Sequence, residues 1–217
     1  MAGKLPFCEF TVHNDNGSDE VVTSQQLELY AELYGIPQLI PGRYSDLLLL
    51  DLYLSEKNIG LSPEQVVQEI KSLETGSQSY MKPPTQFTRK PLKGLWHKHF
   101  LMVTPSSMAH NILNELGKHG TKRAAEAAFH PSKGEKVTTE MLNDFVNQVV
   151  EAPIQSRSER ASLTGEWLIY AKHNGENYYL CIANHKRGER NSDEYVAKQL
   201  ETVCCREFDW LRGVLEN

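Results

Sequence analysis

"EWLIYAKHNGENYYLCIANH", residues 166–185, consists of two β-prone runs on either side of Asn174-Gly175. Asn-Gly tolerates positive φ at both positions, which the type I′ turn of a two-residue hairpin requires. With that turn, His173 pairs with Glu176, and all further cross-strand pairs follow by counting outward. Paired residues share a face of the sheet. One face then carries Trp167, Ile169, Ala171, Tyr178, Leu180 and Ile182, and reads as core. The other carries Leu168, Tyr170, Lys172, Asn177, Tyr179 and Cys181, with His185 past the paired zone. Aromatic bodies mixed with donors and acceptors suit a ligand-binding face, with Tyr170, Lys172 and Tyr179 as candidate contacts. A partly solvated outer face would have the same make-up.

After the hairpin, "SDEYVAKQLETVCCREFDWLRGVLE" (192–216) reads as a C-terminal helix capped by Ser192 or Asp193. Before it, "TTEMLNDFVNQVVEA" (138–152) is an amphipathic helix, and "PSSMAHNILNELGKHG" (105–120) is a helix with proline near its start. "LKGLWHKHFLMV" (92–103) reads as strand. The order of helices, strand, helices, hairpin and helix predicts an α+β fold. An N-terminal helical lobe would precede a small antiparallel sheet, formed by a strand near 95–103 and the hairpin 166–184, packed with helices.

Residues 1–74 form the expected acidic helical lobe, 75–92 a Pro-containing linker or surface loop, and 93–217 the α+β domain. One compact domain overall is the alternative. Within the lobe, "HNDNGSDE" (13–20) reads as loop, and Thr23 or Ser24 caps a helix running to about Leu33. "YSDLLLLDLYLSEKN" (44–58) is a buried helix by its leucine content. Ser62-Pro63 opens another helix, with Gln65 completing a capping box.

The net charge of −5 conceals segregation along the chain. Residues 1–74 hold 4 basic and 12 acidic side chains, 75–136 hold 10 and 3, and 137–217 hold 9 and 13. "MKPPTQFTRKPLKGLWHKHF" (81–100) contains no acid. A local positive field can hold an anion on an acidic protein, although the same block would equally neutralise the acidic lobe. The longest hydrophobic run, Tyr178–Ala183, is six residues, so no membrane span is expected. Four cysteines without CxxC spacing and an N-terminus without a secretory pattern point to a cytoplasmic protein.

In "GLWHKHF" (94–100), strand alternation puts His97 and His99 on one face and Trp96, Lys98 and Phe100 on the other. Three readings follow. In the first, His97, His99 and His185 carry out metal-independent phosphodiester cleavage, with the two proton transfers assigned to imidazoles. Lys172, Lys186 or Arg187 would supply the cation for the transition state, and Tyr170 or Tyr179 would stack a base. Glu166 is a reserve base. "YYLCIANHKRG" (178–188) is similar to the terminal strands of small ribonuclease toxins of the barnase and colicin type. That resemblance implies RNA as ligand and no cofactor. In the second reading, His97 and His99 clip a metal ion. In the third, the chain is a non-enzymatic protein–protein interaction module, such as an immunity, antitoxin or phage-related accessory factor. The ribonuclease reading requires the His97/His99 face to meet the hairpin face bearing Tyr170, Tyr179 and His185.

Overall fold

A computed structural model describes residues 8–13, 17–101, 105–134, 136–163, 165–183 and 192–216. The fold is α+β. A four-stranded antiparallel sheet has the order β3 (Thr85–Gln86), β4 (Trp96–Phe100), β5 (Glu166–His173), β6 (Glu176–Ala183). The β5–β6 hairpin turns at Asn174 and Gly175, with φ of 52° and 85°, as the Asn-Gly pair predicts.

Near the turn the predicted register is observed, from His173↔Glu176 to Tyr170↔Tyr179. The next pair, however, is Ile169↔Cys181, so Leu180 is an extra residue on β6. This bulge shifts every pair beyond it by one. It exchanges the expected faces of Cys181 and Ile182. Ile182 now packs with Leu168 and Tyr170, and Cys181 with Ile169 and Ala171.

The sheet is buried on both sides. Against one face lie α1 (Ser24–Leu33), the short α2 (Ile36–Leu39), α3 (Asp46–Ile59) and α4 (Pro63–Thr75). Their Leu27, Ile36, Leu48, Leu52, Val66 and Ile70 share one core with Phe100, Leu168, Tyr170 and Tyr179 of the strands. The helices read as a lobe therefore form a layer of this core. The C-terminal helices cover the opposite face: α9 (Asp193–Gln199), a π turn at Leu200–Cys204, α10 (Cys205–Glu207) and α11 (Leu211–Glu216). Val196, Leu200, Cys204, Phe208 and Leu211 meet Leu95, Ile169, Ala171 and Leu180 there. The face of Leu168, Tyr170 and Tyr179, expected to be available for a ligand, is thus an interior beneath the N-terminal helices.

Between β4 and β5 the chain makes a helical excursion. It comprises α5 (Pro105–Leu116), α6 (Gly120–Ala128), a 3₁₀ turn (Pro131–Lys133), α7 (Thr139–Val146) and α8 (Ala152–Glu159), the last two joined through a π turn. The loop reading of "HNDNGSDE" gives way to strand at His13, Asp19 and Glu20, while residues 14–16 lie outside the described residues. Glu9–His13 (β1) and Asp19–Thr23 (β2) pair as an antiparallel hairpin leading straight into α1. Phe10, Val12 and Val22 pack on the α1–α4 core, which gives those alternating residues their reason to be strand.

The capping expectations resolve in opposite ways. Thr23 and Gln26 form a reciprocal capping box at α1. Ser62 makes no side-chain cap on α4, because its hydroxyl donates to Glu64 Oε2 at 2.6 Å. The 75–92 segment follows the sheet edge: β3 pairs with β4, Met81 bridges Leu163, and Phe87 N–H donates to the Leu95 carbonyl at 2.9 Å.

Among the described residues, no helix is long and apolar enough to cross a membrane.

Candidate functional site

The strand alternation predicted for "GLWHKHF" is observed, and it separates the expected constellation. His97 is paired with Ile169 and His99 with Trp167, so both histidines lie on the C-terminal-helix side of the sheet. Their rings are 5.6 Å apart, and His97 packs on Phe87 and Trp167 at 4.6 and 4.9 Å. His99 is buried, with Nδ1 hydrogen-bonded to the Gly165 carbonyl at 2.8 Å.

Tyr170 and Tyr179 are fully buried on the other face, beneath the N-terminal helices. The Tyr179 hydroxyl donates to Glu74 at 2.7 Å, while Tyr170 stacks on Trp96 and burial pushes its phenol up to about 12. Neither ring can stack a base. Lys172 lies over the Trp96 ring, 4.2 Å from its centroid, again on the face away from the histidines. His185, Lys186 and Arg187 lie outside the described residues. The meeting of faces that the ribonuclease reading needs therefore does not occur for Tyr170, Lys172 and Tyr179. As for the metal clip, no group of three or more His, Cys, Asp or Glu placed to hold a metal exists among the described residues.

Lys98, the remaining cation of the motif, is also committed elsewhere. Its ammonium is buried, 3.3 Å from Glu69 Oε2, and donates to Ser79 Oγ at 3.0 Å and the Lys82 carbonyl at 2.7 Å. Burial lowers its pKa and the Glu69 carboxylate opposes that fall. This ion pair pins the 79–82 segment to α4 and β4. Lys98 thus serves the fold.

The feature that sequence reading missed lies at the free edge of β6. Arg43–Ser45 closes part of that edge: Tyr179 exchanges backbone hydrogen bonds with Arg43 and Ser45, and Ser45 Oγ donates to the Leu180 carbonyl. One turn into α3, Asp51 takes over. One of its carboxyl oxygens accepts the Ile182 N–H at 3.2 Å, and this is the one hydrogen bond the carboxyl receives among the described residues.

Asp51 shares a helix stripe with Leu47, Leu50 and Leu54, at spacings of three and four residues. These residues form one wall of a cleft of ≈ 440 Å³, with Glu166, Ile182 and Val196 opposite. A second cavity of ≈ 600 Å³ continues along α3 toward β1 and shares Leu50, Leu54, Tyr195 and Gln199 with the first. Desolvation by this apolar lining pushes the Asp51 carboxyl up to about 7, against the opposing pull of the Ile182 amide. Asp51 is therefore an acid poised between protonation states near neutral pH, on the wall of a ligand-sized cavity.

A signal for this site was present in "YSDLLLLDLYLSEKN". Asp51 interrupts the leucines of a helix that otherwise reads as buried, and a half-buried carboxylate among them needs a reason. Comparison with protein-family models, with curated proteins and with solved structures finds no match for this chain.

Proposed function

We propose that the chain is a ligand-binding protein whose site is the cleft between α3, β6 and α9, with Asp51 as its polar anchor. The observation that carries this reading is the Asp51 carboxyl itself. As a cap for the Ile182 amide, an asparagine would accept the same hydrogen bond without an ionisable group in apolar surroundings. An aspartate there costs stability at neutral pH, and that cost supports a role the fold alone does not require. The cavity volume falls in the range of small-ligand sites, and its lining of Leu47, Leu50, Leu54, Ile182 and Val196 fits an apolar ligand body.

This reading sits closer to the non-enzymatic expectation than to RNA cleavage. Phosphodiester chemistry needs a cation beside the proton-transfer groups. Of the cations expected for that role, Lys172 covers Trp96 on the far side of the sheet, and Lys186 and Arg187 lie outside the described residues; Lys98 points away from His97 and His99 into its bond with Glu69.

A protein-detected NMR screen with small apolar fragments tests the assignment. Shifts should cluster at the amides of Asp51, Ile182 and Val196 and vanish in Leu50→Trp, which fills the cleft without touching the Asp51 bond. Hits that map to other faces, or that survive Leu50→Trp, would overturn it.

A further inference from the structure

The row of N–H and C=O groups along an uncovered strand edge is a template for another strand. The edges of this chain are treated unequally. That of β6 is closed in part by Arg43–Ser45 and by Asp51. β3 is two residues long and follows Pro83 and Pro84, which have no amide hydrogen to offer. Among the described residues, β1 pairs with β2 alone. The cavity of ≈ 600 Å³ runs along β1 from Cys8 to His13, so this strand borders open space.

The pairing of β1 with β2 decides which backbone groups face outward. Ser24 N–H donates to the Cys8 carbonyl at 2.9 Å, which makes Cys8 and Ser24 a hydrogen-bonded pair. Antiparallel pairs alternate, so Phe10 and Val12 also bond inward to Val22 and Glu20. The N–H and C=O groups of Glu9, Thr11 and His13 therefore point away from β2. On β2 the outward residues are Asp19, Val21 and Thr23, but Gln26 Oε1 already holds the Thr23 N–H at 2.8 Å. β1 is the better-equipped edge, and no Lys or Pro interrupts it.

The β1 sequence, Glu-Phe-Thr-Val-His, complements itself when reversed. Setting Thr11 against Thr11 of a second copy places Glu9 opposite His13 and Phe10 opposite Val12, at both ends of the pairing. Acid with base, aromatic with β-branched and Thr with Thr are all favourable cross-strand pairs. This register is also the one that engages Glu9, Thr11 and His13 together, each pair exchanging both of its N–H···O bonds. Registers centred on Glu9 or on His13 would oppose like residues and leave outward groups unused. We propose that two copies of the chain pair antiparallel along β1, about a two-fold axis at Thr11, and so join their hairpins into one ribbon of order β2–β1–β1–β2.

Analytical ultracentrifugation of the full chain at pH 6, from about 5 to about 500 μM, tests the dimer. The mass should rise from one copy to two with concentration. Glu9→Lys sets a cation opposite His13 at both ends and should weaken association about tenfold. Thr11→Val keeps the Thr11 amide and should still associate. Thr11→Pro removes that outward N–H without losing a bond to β2, and should leave the monomer. Residue-resolved amide exchange by NMR guards against misfolding: Phe10 and Val12 should stay protected in Thr11→Pro and at every dilution, whereas Thr11 and His13 should gain protection only as the native chain is concentrated. A monomer throughout, a dimer that survives Thr11→Pro, or an affinity unchanged by Glu9→Lys would overturn the pairing. So would a Thr11 amide equally protected at every concentration, which would mean that the chain covers its own edge.

Discussion

Replacing Asp51 by asparagine keeps an acceptor for the Ile182 amide and removes only the ionisable charge. In the folded chain burial raises this carboxyl from its ordinary 3.8 to about 7. Well below its ordinary 3.8 the group is protonated in both folded and unfolded chains, and it contributes no pH dependence. Between pH 4 and 7 the unfolded chain gives up the proton while the folded chain keeps it, so rising pH favours unfolding. Above pH 7 both states are ionised and the loss is complete. A difference of about three pH units at 1.36 kcal/mol each gives an upper limit of ~4 kcal/mol. Water entering the cleft reduces that figure, because Asp51 is only half-buried. Urea unfolding of both proteins at pH 4, 5, 6, 7 and 8 reads the difference directly. Asp51→Asn should lie within about 1 kcal/mol of the native chain at pH 4 and exceed it by ~2–4 kcal/mol at pH 8, where the difference levels off. A difference independent of pH, or a variant less stable at pH 8, would refute the claim that the carboxyl is desolvated.

Other substitutions probe the remaining polar elements. Lys98→Met should destabilise by about 3–5 kcal/mol in urea, because Glu69 is left buried without its cation. Lys98→Met with Glu69→Leu should recover most of that loss, and a double variant as unstable as the single would show that the pair is not the cause. Ser45→Ala removes the cap on the Leu48 amide and the donor to the Leu180 carbonyl, and should cost about 2 kcal/mol in the same assay. A loss below about 0.5 kcal/mol would mean that water replaces both bonds. Mixed RNA incubated with the protein in EDTA should stay intact, and His99→Ala should lower the unfolding midpoint through the lost bond to Gly165. RNA degradation that disappears in His99→Ala would instead restore the histidines as a reaction centre.

The parts of the fold legible in sequence were those governed by local rules. Asn174-Gly175 dictates its turn, alternation assigns the faces of His97 through Phe100, and Thr23 with Gln26 starts α1. The bulge at Leu180 was not legible, because one extra residue accommodated by the sheet edge leaves no mark on a β-prone run. Its effect was large, since it exchanged the faces of Cys181 and Ile182 and brought the Ile182 amide to Asp51.

The ligand-binding face expected at Tyr170 and Tyr179 failed for a related reason. Alternation shows which residues share a face but not what covers it, and here each face has its own helical layer. Glu69 beside Val66 and Ile70, and Asp51 among leucines, were the sequence marks of buried charge. Pairing the first with Lys98 required the tertiary fold.

The central claim is that Asp51 is a desolvated carboxyl on the wall of an apolar cleft. Carbon-detected NMR of the Asp51 side-chain carboxyl across pH 3–9 tests it most directly, with the Ile182 amide as a second reporter of the same proton. The account predicts a single midpoint near 7 in both signals. A midpoint near 4 in the carboxyl signal, as in a solvated aspartate, would contradict it.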